Sequence, residues 1–129
     1  MIRKLLPLCA VLFLSCADAH AAQIIVHFAS HTGFGLYGDR LEQRGPDGFW
    51  DLDVPIDITG AGAARVSWNG IEYSAAILND PDKSHIVFRD TYGLNIITLY
   101  KGGVCGASAH RVSGATGKPN IVVVPCTYR

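Results

Sequence analysis

Trp50-Asp51-Leu52-Asp53-Val54-Pro55-Ile56-Asp57-Ile58 decides the fold class, because its apolar and polar residues alternate without a break. Trp50, Leu52, Val54, Ile56 and Ile58 fall on one face, and Asp51, Asp53, Pro55 and Asp57 on the other. That is the period of a β-strand with one side buried and one side wet. Pro55 cannot donate to a hydrogen-bond ladder, which predicts either an edge strand or a bulge there.

Working outward, the next segments repeat the pattern. Ala64-Arg65-Val66-Ser67-Trp68 and Ile71 to Leu78 flank Asn69-Gly70. Asn-Gly supplies the two positive-φ residues of a type I′ turn, so these runs form a hairpin. Its register sets Trp68 opposite Ile71 and Val66 opposite Tyr73 on one face. Ser67 with Glu72, and Arg65 with Ser74, then occupy the other. Gln23 to Ala29, His85 to Arg89, Leu94 to Tyr100 and Asn120 to Tyr128 read as further strands between turn residues. Val104 to Val112 is ambiguous. Asp39 to Arg44 is the one short helical candidate, ending at Gly45-Pro46. Such spacing predicts an all-β fold, a small antiparallel sandwich or barrel of about seven or eight strands.

The N-terminus reads differently. Met1-Ile2-Arg3-Lys4 is a basic start, Leu5 to Ala17 an apolar run, and Ala17-Asp18-Ala19 and Ala19-His20-Ala21 are small-residue exits. This is the pattern of a secretory signal peptide. The run is shorter than the about 20 residues a membrane span requires. Residues 1–22 are therefore expected to be a leader and 23–129 a single β domain, periplasmic or secreted. Cys16 raises the alternative of a lipid-modified N-terminus, but Phe13-Leu14-Ser15 before it fits that signal poorly.

The whole chain balances 11 Lys plus Arg against 11 Asp plus Glu. Losing Arg3, Lys4 and Asp18 leaves one net negative charge, with no electrostatic reason to expect nucleic acid as a partner. Cys9 and Cys16 leave with the leader, so Cys105 and Cys126 are expected to pair and staple the last strand.

Several patterns suggest chemistry and fail on inspection. Gly33-Phe34-Gly35-Leu36-Tyr37-Gly38 has the spacing of a dinucleotide fingerprint, but no long helix follows to receive a phosphate. No cofactor is expected, and Phe34 and Tyr37 are left as aromatic contacts in an exposed glycine-rich loop. His27 and His31 have the spacing of helix-borne metal ligands. On a strand that spacing is roughly 13 Å, too far for one ion. Cys105 with His110 is better explained by the disulfide, and Ser108 with His110 lacks a nucleophile elbow. No catalytic or metal set emerges, and the chain is not expected to be an enzyme.

Asp47 to Asp57 holds four aspartates and no basic residue. Asp51, Asp53 and Asp57, with Phe34 and Tyr37, are the expected binding residues. The expectation is an exported protein that binds another protein, an inhibitor or immunity-type molecule blocking a basic hydrolase or a toxin. Two alternatives stand beside it: a small secreted hydrolase using His and Asp residues, and a carbohydrate- or ligand-binding module.

Overall fold

The computed structural model describes residues 22–28, 33–43 and 52–129. Residues 1–21 of the expected leader, with His31, Asp47, Trp50 and Asp51, lie outside them. Ten strands are described: β1 (Gln23–Phe28), β2 (Phe34–Tyr37), β3 (Arg40–Gln43), β4 (Leu52–Gly60), β5 (Ala63–Trp68), β6 (Ile71–Asn79), β7 (Lys83–Arg89), β8 (Leu94–Tyr100), β9 (Val104–Val112) and β10 (Pro119–Tyr128). All are antiparallel. From β4 to β10 each strand pairs with its sequence neighbour, and β1 pairs with both β4 and β10. Eight strands thus close into an up-and-down barrel, which leaves them no unpaired edge. The all-β reading holds, and the barrel is the form it takes.

The remaining two strands extend that wall. β1 lies against the end of β10 (Val26 opposite Tyr128) and β2 against its beginning (Tyr37 opposite Asn120). Both are antiparallel to β10, so they follow one another along it. β3 folds back on β2 through Gly38 (φ +69°), and β4 pairs with β1. β1–β2 and β3–β4 are therefore two arms of one interrupted hairpin.

Strand β3 corrects the expected helix at 39–44. Fewer than two helical turns cannot repay the cost of nucleation, whereas β2 offers Arg40 to Gln43 a ladder at once. Phe34 and Tyr37 are likewise strand residues, not loop residues.

The Asn69-Gly70 hairpin has the register read from the sequence: Trp68 opposite Ile71, Val66 opposite Tyr73, Arg65 opposite Ser74. Asn69 (φ +50°) and Gly70 (φ +78°) supply the two positive angles. Pro55 departs from expectation. It sits in an interior strand, and the register shift in β4 comes later, between Ile58 and Gly60. The β4–β5 ladder starts at Ile56, so the missing N–H falls where that ladder ends.

Alternation fills the barrel. Val26, Phe28, Val54, Ile56, Val66, Ile86 and Ile97 are buried almost completely. Trp68 packs between Phe28 and Phe88, with ring centroids at 5.5 and 6.4 Å. Cys105 and Cys126, directly opposite on β9 and β10, form the expected disulfide with Cα atoms 4.8 Å apart. The chain end is fastened by Ile25 and Arg129, which exchange backbone hydrogen bonds at 3.0 and 3.1 Å. The Tyr128 hydroxyl also donates to the Tyr100 carbonyl.

Candidate functional site

The outer wall over β4, β1, β10, β2 and β3 gathers most of the residues singled out from the sequence. Asp53 and Asp57 point outward from β4, opposite His27 and Gln23 of β1. His27 Nδ1 meets Asp53 Oδ1 at 2.6 Å, and Gln23 Nε2 donates to Asp57 Oδ1 at 2.8 Å. Arg65 of β5 is the other cross-strand neighbour of Asp57. The one-signed face expected from residues 47–57 is thus, over its described part, a mixed one. Strand pairing brings in an imidazole and a guanidinium that the linear sequence kept apart. Asp51 lies outside the described residues.

The same wall continues onto β2. Thr127 of β10 is opposite His27, and Val123 is opposite Phe34. These two positions are four apart on one strand, so Phe34 lies roughly 13 Å along the wall from the His27–Asp53 pair. Around Phe34 the wall is apolar. Leu36 is opposite both Ile121 of β10 and Leu41 of β3. Phe34, Leu41 and Val123 are 53%, 70% and 49% exposed. Tyr37 belongs to the other face: successive strand residues alternate, and its ring crosses Gly35, where a Cβ would come within 2.5 Å of it. Phe34 therefore shares the outer wall with Asp53 and Asp57 but does not adjoin them. Asp57 lies four residues further along than Asp53, roughly 26 Å from Phe34. Tyr37 faces the other way.

A second arrangement lies at the barrel end where β9 stops and β10 starts, and the sequence reading missed it. A cavity of about 360 Å³ is lined by Phe28, Trp68, Phe88, Ala107, Val122 and Val124, with Asp90, Asn95, Arg111 and Asn120 also lining it. Asp90 organises the 90–93 turn. Its Oδ1 accepts from the backbone N–H of Tyr92 (2.8 Å) and Gly93 (2.9 Å). Its Oδ2 accepts from Asn95 Nδ2 (3.1 Å) and Arg111 Nη2 (3.0 Å). Gly93 is required there, since a Cβ would stand 2.1 Å from the His110 carbonyl oxygen. The Arg111 guanidinium also lies 5.9 Å from the Tyr92 ring centroid. A signal was available in the sequence. Cys105, Ala107 and Ala109 alternate inward as small residues, and Arg111 ends the same row.

Burial pushes the Asp90 carboxyl up. The hydrogen bonds from Asn95, Tyr92 and Gly93 and the Arg111 charge outweigh it, and hold the group below the usual carboxylate range. The ionised form is therefore favoured more in the folded than in the unfolded protein. This stabilisation is complete above the unfolded value of about pH 4. It is lost as pH falls through the lower folded value. In acid titrations of stability, Asp90→Asn should flatten the slope in that window. An unchanged slope would show that the turn does not depend on the charge.

Two hydroxyl–imidazole contacts are present: His85 lies 2.9 Å from Thr98 Oγ1 through Nδ1 and 3.0 Å from Asp80 Oδ2 through Nε2, and Ser108 meets His110. Ser108 and His110 share a face of β9, and Ser108 Oγ meets His110 Nε2 at 3.1 Å. No His110–carboxylate hydrogen bond accompanies that contact among the described residues. Nor does any group of three or more His, Cys, Asp or Glu gather there to hold a metal. No helix among the described residues is long and apolar enough to cross a membrane.

Searches against family models, curated proteins and solved structures return no match for this chain.

Proposed function

We propose that this is an exported protein that acts by binding another protein, an inhibitor or immunity-type molecule that blocks a basic hydrolase or a toxin. One observation carries the reading: the contiguous apolar patch on the outer wall formed by exposed Phe34, Leu41 and Val123 around half-buried Leu36 and Ile121. Exposed apolar patches of this kind mark interaction surfaces on soluble proteins. An apolar centre with a polar rim is the usual anatomy of a protein interface. Here Asp53 and Asp57 are acidic residues further along the same wall, and pairing of β2 with β10 ties the patch to the closed barrel that carries them. A rigid wall loses little conformational freedom when a partner docks.

The contributions separate kinetically. Phe34→Ala is expected to weaken binding by about 2 kcal/mol or more, chiefly by raising the off-rate, as for a central aromatic anchor. Asp53→Lys with Asp57→Lys should lower the on-rate for a basic partner, and the loss should shrink as salt is raised. The assay is capture from extracts of the producing organism and its competitors, beside a hydrolase panel, followed by surface kinetics on the captured partner. Affinity indifferent to Phe34 and Leu41 would place the interface elsewhere. Turnover of a peptide, ester or glycan lost on changing Ser108 or His110 would replace the binder reading with the hydrolase one.

A further inference from the structure

The wall ends at β3. Among the described residues this strand pairs only with β2, so its far side is the open end of the sheet. Arg40, Leu41, Glu42 and Gln43 are all exposed. The strand is also held in place, because the Gly38 N–H in the β2–β3 turn donates to the Pro119 carbonyl at 2.8 Å.

Tyr37 and Arg40 close a two-residue hairpin, and such a closing pair exchanges backbone hydrogen bonds. Bonded and non-bonded pairs then alternate, so the N–H and C=O groups of Leu41 and Gln43 point away from β2, toward the open side. A row of this kind is a template for another strand.

A second copy of β3 is a strand whose side chains fit. Two identical strands pair antiparallel about a two-fold axis, so one residue meets its own counterpart. With Arg40 or Glu42 at the axis, like charges stand opposite each other, which is destabilising. With Gln43 there, nothing else within β3 pairs. With Leu41 there, leucine meets leucine, and each Arg40 meets the other copy's Glu42. Arg40 and Glu42 share a face and already attract at 3.0 Å within one strand. Across the axis the four charges alternate in sign around a square. On the opposite face Leu41 is opposite Leu36, and Leu36 is opposite Ile121. The two-fold axis joins these two rows into one apolar line through both copies.

We propose that β3 is a self-association edge, at which a second copy of this chain pairs antiparallel about Leu41 and the two outer walls become one sheet. A strand of four residues on each side makes a small interface, so the dimer is weak. Pairing uses the edge of β3 and leaves the face carrying Phe34 open, so the dimer stands apart from the protein-binding reading.

Sedimentation velocity of the protein, carried up to about 1 mM so that a weak contact is populated, is expected to show a monomer–dimer equilibrium. Arg40→Glu makes the edge wholly acidic, and Glu42→Arg makes it wholly basic. Each alone should weaken self-association by about tenfold or more, since two attractive pairs become two repulsive ones. Mixed in equal amounts, the two variants should form a mixed dimer at least as tight as the wild-type one. Both changes in one chain should restore the homodimer, with no change in net charge. Under mild oxidation Leu41→Cys should cross-link to its counterpart, and Gln43→Cys, two residues from the axis, should not. Circular dichroism checks that each variant is folded.

A monomer at every concentration would overturn the proposal, as would a dimer that neither single variant weakens. A mixture that associates no better than its components, a double variant that stays monomeric, or equal cross-linking at 41 and 43 would do the same.

Discussion

Replacing both Cys105 and Cys126 by serine is expected to lower the unfolding free energy by about 2–5 kcal/mol, the usual loss for a native disulfide in a small domain. The bond spans 21 residues, for which chain entropy in the unfolded state accounts for about 3 kcal/mol. A second contribution comes from where the sulfurs sit. Cys105 and Cys126 are 4% and 6% exposed, so serine would leave two hydroxyls inside an apolar barrel without assured partners. Replacing both by alanine separates these effects, since it removes the cross-link without burying a polar group. Denaturant unfolding of oxidised wild type, reduced wild type and the two double variants measures each part. A serine pair as stable as the oxidised protein would show that the bond constrains nothing the barrel does not already hold.

The second large effect is expected at Ile56. It is fully buried in β4 between β1 and β5, opposite Ile24 and Val66. Ile56→Ala should cost about 2–5 kcal/mol, through lost burial and the cavity left behind. Asp57, next along the chain, faces water, and Asp57→Ala should change stability by no more than about 0.5 kcal/mol. Similar losses at the two positions would mean that β4 does not present one face to the interior. The comparison is sharp because the residues are adjacent and differ only in the face they occupy.

These pairs show what was legible in the sequence and why. Period-two alternation in Leu52 to Ile58 and the Asn69-Gly70 turn are local signals, and local signals survive folding. Closure of β1 against β10 is not local, so the sequence could not choose between a barrel and a sandwich. The same limit explains the functional residues. Asp53 looked like part of an acidic run because His27 is a neighbour only across a ladder. Phe34 and Tyr37 looked alike in a glycine-rich stretch, until strand pairing turned one outward and the other inward. Arg111 was hidden in a segment whose structure was ambiguous, and a lone arginine there has no meaning until Asp90 and Asn95 are placed beside it.

The seam of the barrel has a kinetic meaning. Every other join between barrel strands except β1–β4, which closes around the short β2–β3 hairpin, links sequence neighbours and can zip soon after its turn forms. The β1–β10 join connects positions roughly a hundred residues apart, and must wait for the whole ribbon, since distant contacts are the slow ones. The β9–β10 disulfide lies on the local side of this divide, so its thiols can meet while the ribbon is still open. Oxidation can then come early and closure last, with Val26 and His27 meeting Thr127 and Tyr128, and Phe34 to Tyr37 meeting Asn120 to Val123, to complete the fold. Until they meet, both edges of the ribbon are exposed, and an open edge is where another strand can add. The few residues at the seam therefore bear on how long the nascent chain can associate with its own copies.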